Sequence, residues 1–448
     1  MNFIETLLWL ETYKGKKSFT LIELNSGEKF EVEQKENVDC FVFPIHVTSP
    51  LYKKIYSEES RFAISSEKII IKVKNYTIDW SSDFLVRDLR VYMFESDNFD
   101  RNKNCFYRLL CPIKSSFYVI NLNHAHTDEF NLNLKKANIH IYSTDSDNER
   151  YLVVESKSEL NYTEFIHYAN SILFTLGFLS GNLIKGEELI FQSEDASWNL
   201  CDGFFRRKLK KVSKCYQPIT STPTQYSNFI TNKDYDFESK ASYLEPEKIG
   251  DLIDLLAANG NYFVAIKLLL EIGDISFVNR PSTLYVVLEI IVDEIVKNGS
   301  KPFVEKVLIK QKSLDLLSKY KSKIEDRDYK ELQNAINEID KKLAQNNKKY
   351  EEAFKVFDLE LNLEDKRCLN KRNQFFHGRV VPRNILIKNE DNYVELELEY
   401  YSLTQRLFTL ISKLILKKVK FNGYVINHSK MRENQSNRVF DEEYFVKI

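Results

Sequence analysis

The apolar pattern of this chain changes period once, and that change fixes its broad architecture. Up to about residue 160, short β-favouring runs alternate with polar turns. Examples are 18–24, closed by Asn25-Ser26-Gly27, and the runs 68–73, 88–94, 117–122, 139–142 and 151–154. Such spacing predicts an antiparallel sandwich or barrel-like region. A helix is expected over 162–179, followed by a strand over 188–191. From about residue 244 the apolar residues recur every three or four positions, the period of an amphipathic helix. Helices are expected over 244–258, 261–272, 281–298, 302–323 and 363–377, with a last large one over 399–419. Pro281 and Pro302 stand at favourable first positions, and Asn298-Gly299 is a stop. The segment 327–356 is charged and heptad-like, with Leu332, Ile336, Ile339 and Leu343 on one stripe. The fold class is therefore α+β: a β-rich N-terminal domain, antiparallel and sandwich-like, followed by an all-α helical bundle. The boundaries are 1–200 for the β-rich domain, 201–243 for a basic segment and linker, and 244–448 for the bundle. The linker rests on Pro218, Pro223 and the Ser, Thr, Asn, Asp and Tyr content of 218–243.

Length and composition narrow the class. A chain of 448 residues is too long for one ordinary domain. Apolar residues at 43%, with 31 Phe and 25 Tyr, suffice for sizeable cores, and only 12 Gly and 9 Pro argue against low complexity. The formal net charge of −1 means that any attraction for nucleic acid comes from local patches. The six cysteines, at 40, 105, 111, 201, 215 and 368, form no CxxC pair. They read as reduced thiols in a cytosolic protein, not as a disulfide frame or zinc cluster. At the N-terminus acid precedes the apolar run and lysines follow it, the reverse of a secretory signal. Residues 165–184 lack formal charge for about the length of a membrane span, but they carry His167, Asn170, Ser171, Thr175, Ser180 and Asn182. A helix buried in a soluble domain fits them better. A cytoplasmic protein with no membrane partner is expected.

One stretch carries chemistry: Lys371-Arg372-Asn373-Gln374-Phe375-Phe376-His377-Gly378-Arg379. Arg372 lies four after Cys368, three after Leu369, three before Phe375 and four before Phe376, so it sits inside its helix's apolar stripe. A charge in that position is costly unless something specific pairs with it. Asn373 and His377 are four apart, so the amide can reach the imidazole. Gly378 is a natural stop, which places His377 in the last turn, where the helix dipole favours its protonated form. An Arg, a polar orienting residue and a charge-tunable His within two turns suit phosphate chemistry. In metal-independent RNA cleavage a base takes the ribose 2′-OH proton, the Arg neutralises charge on the phosphorane, and the 5′-oxygen is protonated as it leaves. As a bare pattern, an Arg and a His five apart equally describes a salt-bridged bundle helix.

The string RNQFFHG, at the end of a helix late in a helical domain, resembles the RN-x3-H signature of HEPN ribonucleases. The upstream helix with Leu288-Glu289 resembles the early HEPN helix bearing a Leu-Glu pair. The layout is similar to ApeA-type anti-phage defence proteins; the likeness covers about 245–425 in architecture and about seven residues in motif. It implies a homodimer whose two copies build one composite RNA-cleaving site, with Arg372 and His377 catalytic and Asn373 supporting. Glu289 is implied as a partner of Arg372, although beside Asp293 it is equally a plain solvated acid. The resemblance further implies abortive infection, with tRNA or other cellular RNA as substrate and no metal or nucleotide cofactor. A phage-derived protein acting on the N-terminal domain is the expected trigger. The competing class is a non-catalytic RNA- or protein-binding module serving as regulator or scaffold.

Lys371, Arg379 and Arg383 around the motif are the expected substrate-binding residues, and Arg406, Lys417, Lys418 and Lys420 on the last helix extend the basic surface. Late-helix lysines also simply complement the dipole. The basic-aromatic run 204–214 either grips a nucleic-acid backbone, with rings available for stacking, or is a short solvated helix between domains. His124-Ala125-His126 lies just after a strand with no further His or Cys nearby, so a surface turn fits it better than a metal site. Walker-type, HExxH and Gly-x-Ser-x-Gly patterns are absent.

Overall fold

The computed structural model describes residues 18–33, 41–46, 48–51, 62–65, 70–80, 86–96, 98–113, 121–122, 125–126, 129–146, 149–183, 187–208, 213–230, 234–299, 301–337, 346–372, 375, 390–435 and 439–448. The chain divides into two compact units, 1–176 with 183–213 and 245–257, and 177–182 with 214–244 and 258–448.

The first unit holds a 12-stranded sheet. Its strands are β1 (Ser18–Glu23), β2 (Lys29–Glu33), β3 (Phe41–His46), β4 (Phe62–Ser65), β5 (Ile70–Trp80) and β6 (Val86–Ser96), then β7 (Phe106–Ile113), β8 (Phe130–Asn133), β9 (Asn138–Ser146), β10 (Glu149–Ser156), β11 (Glu187–Ser193) and β12 (Gly203–Lys208). The order is β8-β9-β10-β7-β11-β12-β6-β5-β4-β1-β2, with β3 also on β6. The antiparallel pairing is as expected, and it joins the strands in one continuous ladder. β6 makes this possible: one edge carries β5, and the other is divided between β3, along Val86 to Val91, and β12, along Met93 to Glu95. The Asn25-Ser26-Gly27 turn forms as its residues dictate. The Glu23 carboxylate accepts the Asn25 and Ser26 amides at 3.0 and 2.6 Å, and Gly27 adopts φ +70°.

Central strands are buried on both faces. Tyr151 and Val153 of β10 join Leu110, Leu189 and Phe191 in one cluster, while the alternate Leu152 and Val154 are buried as well. Such strands need cover on both sides. On the face opposite that cluster, Tyr107 stacks on Phe165 of α1 (Tyr162–Ser180) with ring centroids 5.0 Å apart. The expected first bundle helix, α2 (Pro246–Ala258), belongs with this unit instead. The His167 imidazole donates to the Ala257 carbonyl at 2.6 Å, and Asp254 accepts from the Lys135 amide at 3.2 Å.

The second unit is helical, with α3 (Gly260–Leu270), α4 (Arg280–Gly299), α5 (Lys301–Lys319), α6 (Asp326–Asn337), α7 (Asn346–Lys355), α8 (Leu363–Asn370), α9 (Glu390–Lys418) and α10 (His428–Met431), and a ladder of β13 (Tyr424–Ile426) with β14 (Phe445–Lys447). α4 turns Leu284, Leu288, Ile291 and Ile295 inward, spaced as one helix face. α9 goes further: from Ser402 to Leu416 every residue is buried, which makes it the central helix. Of the expected helix over 327–356, α6 and α7 are described; Leu332 of its stripe is 46% exposed, and Ile339 and Leu343 lie outside the described residues. The expected linker 218–243 is packed structure. It forms two 3-10 turns and places Tyr226, Phe229, Tyr235 and Phe237 around Ile230, Ile426, Met431 and Phe445. Its aromatic content was the signal against a linker. Among the described residues no single helix is long and apolar enough to cross a membrane.

His428, wholly buried, donates from Nε2 to the Gln217 carbonyl at 2.8 Å and lies against the Tyr216 and Phe408 rings. Burial pushes its pKa down to about 3. The unfolded imidazole, near pKa 6.5, takes a proton that the folded one refuses, so stability is full above about pH 6.5 and falls as pH drops below it. Between about pH 6.5 and 5, above the carboxylate range, wild type loses on the order of 1 kcal/mol per pH unit. His428→Asn, which keeps a donor, flattens this slope in thermal melts.

Candidate functional site

α8 begins where its sequence says it must. Asn362 caps it, accepting from the Asp365 amide at 2.8 Å, while the Asp365 carboxylate accepts the Asn362 amide at 3.3 Å. The last turn is held by Tyr285, whose hydroxyl donates to the Cys368 carbonyl at 2.6 Å. Burial pushes the Cys368 thiol up to about 12, which makes it inert packing. Cys368, Leu369 and Phe375 are buried, and the Phe375 ring lies 5.6 Å from both Tyr285 and Tyr400. Arg372, in helical backbone, therefore does interrupt an apolar stripe.

The specific partner that such a charge requires is Glu289 of α4, which forms an ion pair with the Arg372 guanidinium. Both side chains are mostly sheltered, 16% exposed for Arg372 and 29% for Glu289. Tyr350 of α7 completes the cluster, donating to Glu289 at 3.2 Å and accepting from Arg372. Desolvation, reinforced by the Glu289 charge, raises the Tyr350 pKa, so its hydroxyl stays protonated and available as a donor. One turn along α4, Asp293 pairs with Lys349, so two acids of this helix hold two successive residues of α7. Glu289 is thus the Arg372 partner and not a plain solvated acid. Tyr350 escaped sequence reading because its helix carried no motif; the one available signal was a Tyr in a highly charged segment.

Lys371 goes elsewhere. Its ammonium pairs with Glu399 of α9 beside a cavity of about 420 Å³ that is also lined by Glu364, Arg367 and Arg406. The neighbours Lys371 and Arg372 therefore face different helices and do not share one surface. Asn373, His377, Arg379 and Arg383 lie outside the described residues. Two further expectations change. Arg406 is buried and paired with Asp365 and Glu442, both at 2.8 Å, so it adds nothing to a basic surface. The run that opens at Phe204 begins as strand β12, not a helix, and both its rings are buried, which leaves neither for a base to stack on. His124 lies outside the described residues, and His126 ends a two-residue ladder, 121–122 with 125–126.

Chemically, the cluster aims and desolvates one guanidinium at a helix end, held from two other helices. Removing either ionic partner strands the other charge in a mostly sheltered place. Arg372→Ala and Glu289→Ala are each expected to cost about 2 kcal/mol in urea unfolding, and the double variant less than their sum. Additive losses would mean that the pair is not coupled.

Comparison with protein-family models, with curated proteins and with solved structures finds no match to this chain.

Proposed function

We propose that this chain is a metal-independent endoribonuclease of the HEPN kind, working as a cytoplasmic homodimer in anti-phage defence. The observation that supports the reading most is the Arg372–Glu289–Tyr350 cluster, because it holds the motif arginine in one orientation at the end of a helix. Pre-oriented charge is what stabilises a pentacoordinate phosphate. In the proposed step a His377 imidazole removes the ribose 2′-OH proton, the 2′-oxygen attacks the adjacent phosphorus, and the 5′-oxygen departs with a proton from the second copy's His377. Arg372 balances the negative charge as it builds, and Asn373 orients the imidazole. One copy offers too few groups for two proton transfers and charge stabilisation; two copies suffice. The substrate is tRNA or other cellular RNA, contacted by Arg379 and Arg383; Lys371, held by Glu399 away from Arg372, takes no part. Restraint by the β-rich unit, released by a phage-derived protein, fits the need to keep such an enzyme silent.

A second reading has its own support. Arg372 is already matched in charge by Glu289, as expected of a bolt in a non-catalytic RNA- or protein-binding module. The two readings separate in one experiment. Wild type, Arg372→Ala, His377→Ala and Glu289→Gln are expressed with and without phage, and growth and total RNA are followed at matched folded protein. The nuclease reading expects His377→Ala and Arg372→Ala to lower cleavage by about 10² to 10⁴-fold. The binding-module reading expects equal phenotypes for all four proteins.

A further inference from the structure

The buried middle of α9 carries a second row of polar residues that the RNA reading does not use. Ser402, Arg406, Thr409 and Lys413 follow one another at spacings of four, three and four, which places them along one line of the helix. Arg406 is accounted for by Asp365 and Glu442. Thr409 is accounted for too: its hydroxyl donates to the Gln405 carbonyl at 3.0 Å and accepts the His428 amide at 3.2 Å. Lys413 is not. It is 8% exposed, and among the described residues its ammonium makes no hydrogen bond or ion pair. Burial lowers its pKa and outweighs the opposing pull of Asp365; the repulsion of Arg406 adds to the lowering, and Glu442 opposes it least. A buried ammonium without a partner is an expensive feature for a core helix to carry.

Lys413 lines a cavity of about 580 Å³, together with Arg406, Thr409 and Asn427 at its inner wall. Asn427 is fixed by donating to Glu442 at 2.7 Å, so the inner wall is rigid apart from the lysine. The outer lining is mixed, with three exposed carboxylates, Glu360, Asp441 and Glu443, beside the half-buried Lys240 and the exposed Lys447. The volume is that of a small-molecule site. We propose that this cavity binds a small hydroxylated anion, of the sugar-phosphate or sugar-acid class, with its anionic head on Lys413 and its hydroxyls donating to the outer carboxylates. The head supplies the counter-charge that the lysine lacks, and the carboxylates reject ligands that are anionic along their whole length. The site excludes Arg372 and does not depend on RNA cleavage.

The test uses the full chain with ribose 5-phosphate, inorganic phosphate and ribose as probes, titrated by calorimetry. Ribose 5-phosphate is expected to bind saturably at one site per chain, inorganic phosphate more weakly, and ribose not at all. Lys413→Met, which removes the charge but keeps the volume, weakens ribose 5-phosphate by at least about tenfold. Asp441→Asn with Glu443→Gln weakens ribose 5-phosphate and leaves inorganic phosphate unchanged. A readout on unmutated protein stands beside these: ribose 5-phosphate slows reductive methylation of Lys413 in peptide mass spectra, while exposed Lys366 reacts as before. Absence of saturable binding by either anion, equal affinity in Lys413→Met, or an unprotected Lys413 would each overturn the proposal.

Discussion

Where Arg372 sits is decided by Arg406. The Arg406 guanidinium divides itself between Asp365 and Glu442, each at 2.8 Å, and stacks over the Phe440 ring at 4.9 Å. Asp365 is also the third residue of α8 and half of its capping box, so one buried ion pair fixes both the start of α8 and its position on α9. A helix of eight residues has little stability of its own. Its tertiary anchors must supply what propensity does not, and Arg372 follows two residues after it ends. Glu442 draws the C-terminal segment into the same arrangement, accepting from Asn427 at 2.7 Å and Asn362 at 3.1 Å. The Arg406 charge and these donors hold the Glu442 carboxyl below its ordinary range despite the opposing effect of burial.

From that anchor the two cations of the motif part company. Lys371 turns toward Glu399 on α9, and Arg372 toward Glu289 on α4 and Tyr350 on α7. The motif therefore works locally as a junction: consecutive side chains bind the end of one short helix to three others. A guanidinium held this way loses little entropy when it meets a phosphate, which suits catalysis. The same holding makes it a structural bolt. Both uses rest on one geometry, and this is why stability and cleavage must be measured together.

The sequence revealed the helices around the site well and their partners poorly. The 3.6-residue stripe of α4 and the Asn362 cap of α8 were legible, because local chemistry decides them. The pairing of Glu289 with Arg372 was half legible: the arginine's place in an apolar stripe demanded a partner, but Asp293 one turn away was an equal candidate on sequence alone. Tyr350 and Glu442 were invisible, since Tyr350 reaches Arg372 and Glu289 across 22 and 61 residues, Glu442 reaches Arg406 across 36, and no periodicity carries that information. The misplacements of α2 and of 218–243 share a cause. Both segments have ordinary local patterns, and long-range packing assigns them to their units. Arg406 looked like a surface cation because charge on a helix usually is. The clue was that, Gln405 apart, its neighbours from Leu403 to Leu410 are apolar or small.

The most direct test of the central claim is the chemistry of the cut ends. Purified full-length protein, activated by infection and assayed in excess chelator, is given a defined RNA and the same RNA with 2′-deoxy sugars. Attack by the 2′-hydroxyl predicts 2′,3′-cyclic phosphate and 5′-hydroxyl termini on the ribose substrate and no cutting of the deoxy one. Products with 5′-phosphate termini, or cutting that disregards the 2′-hydroxyl, would contradict the account.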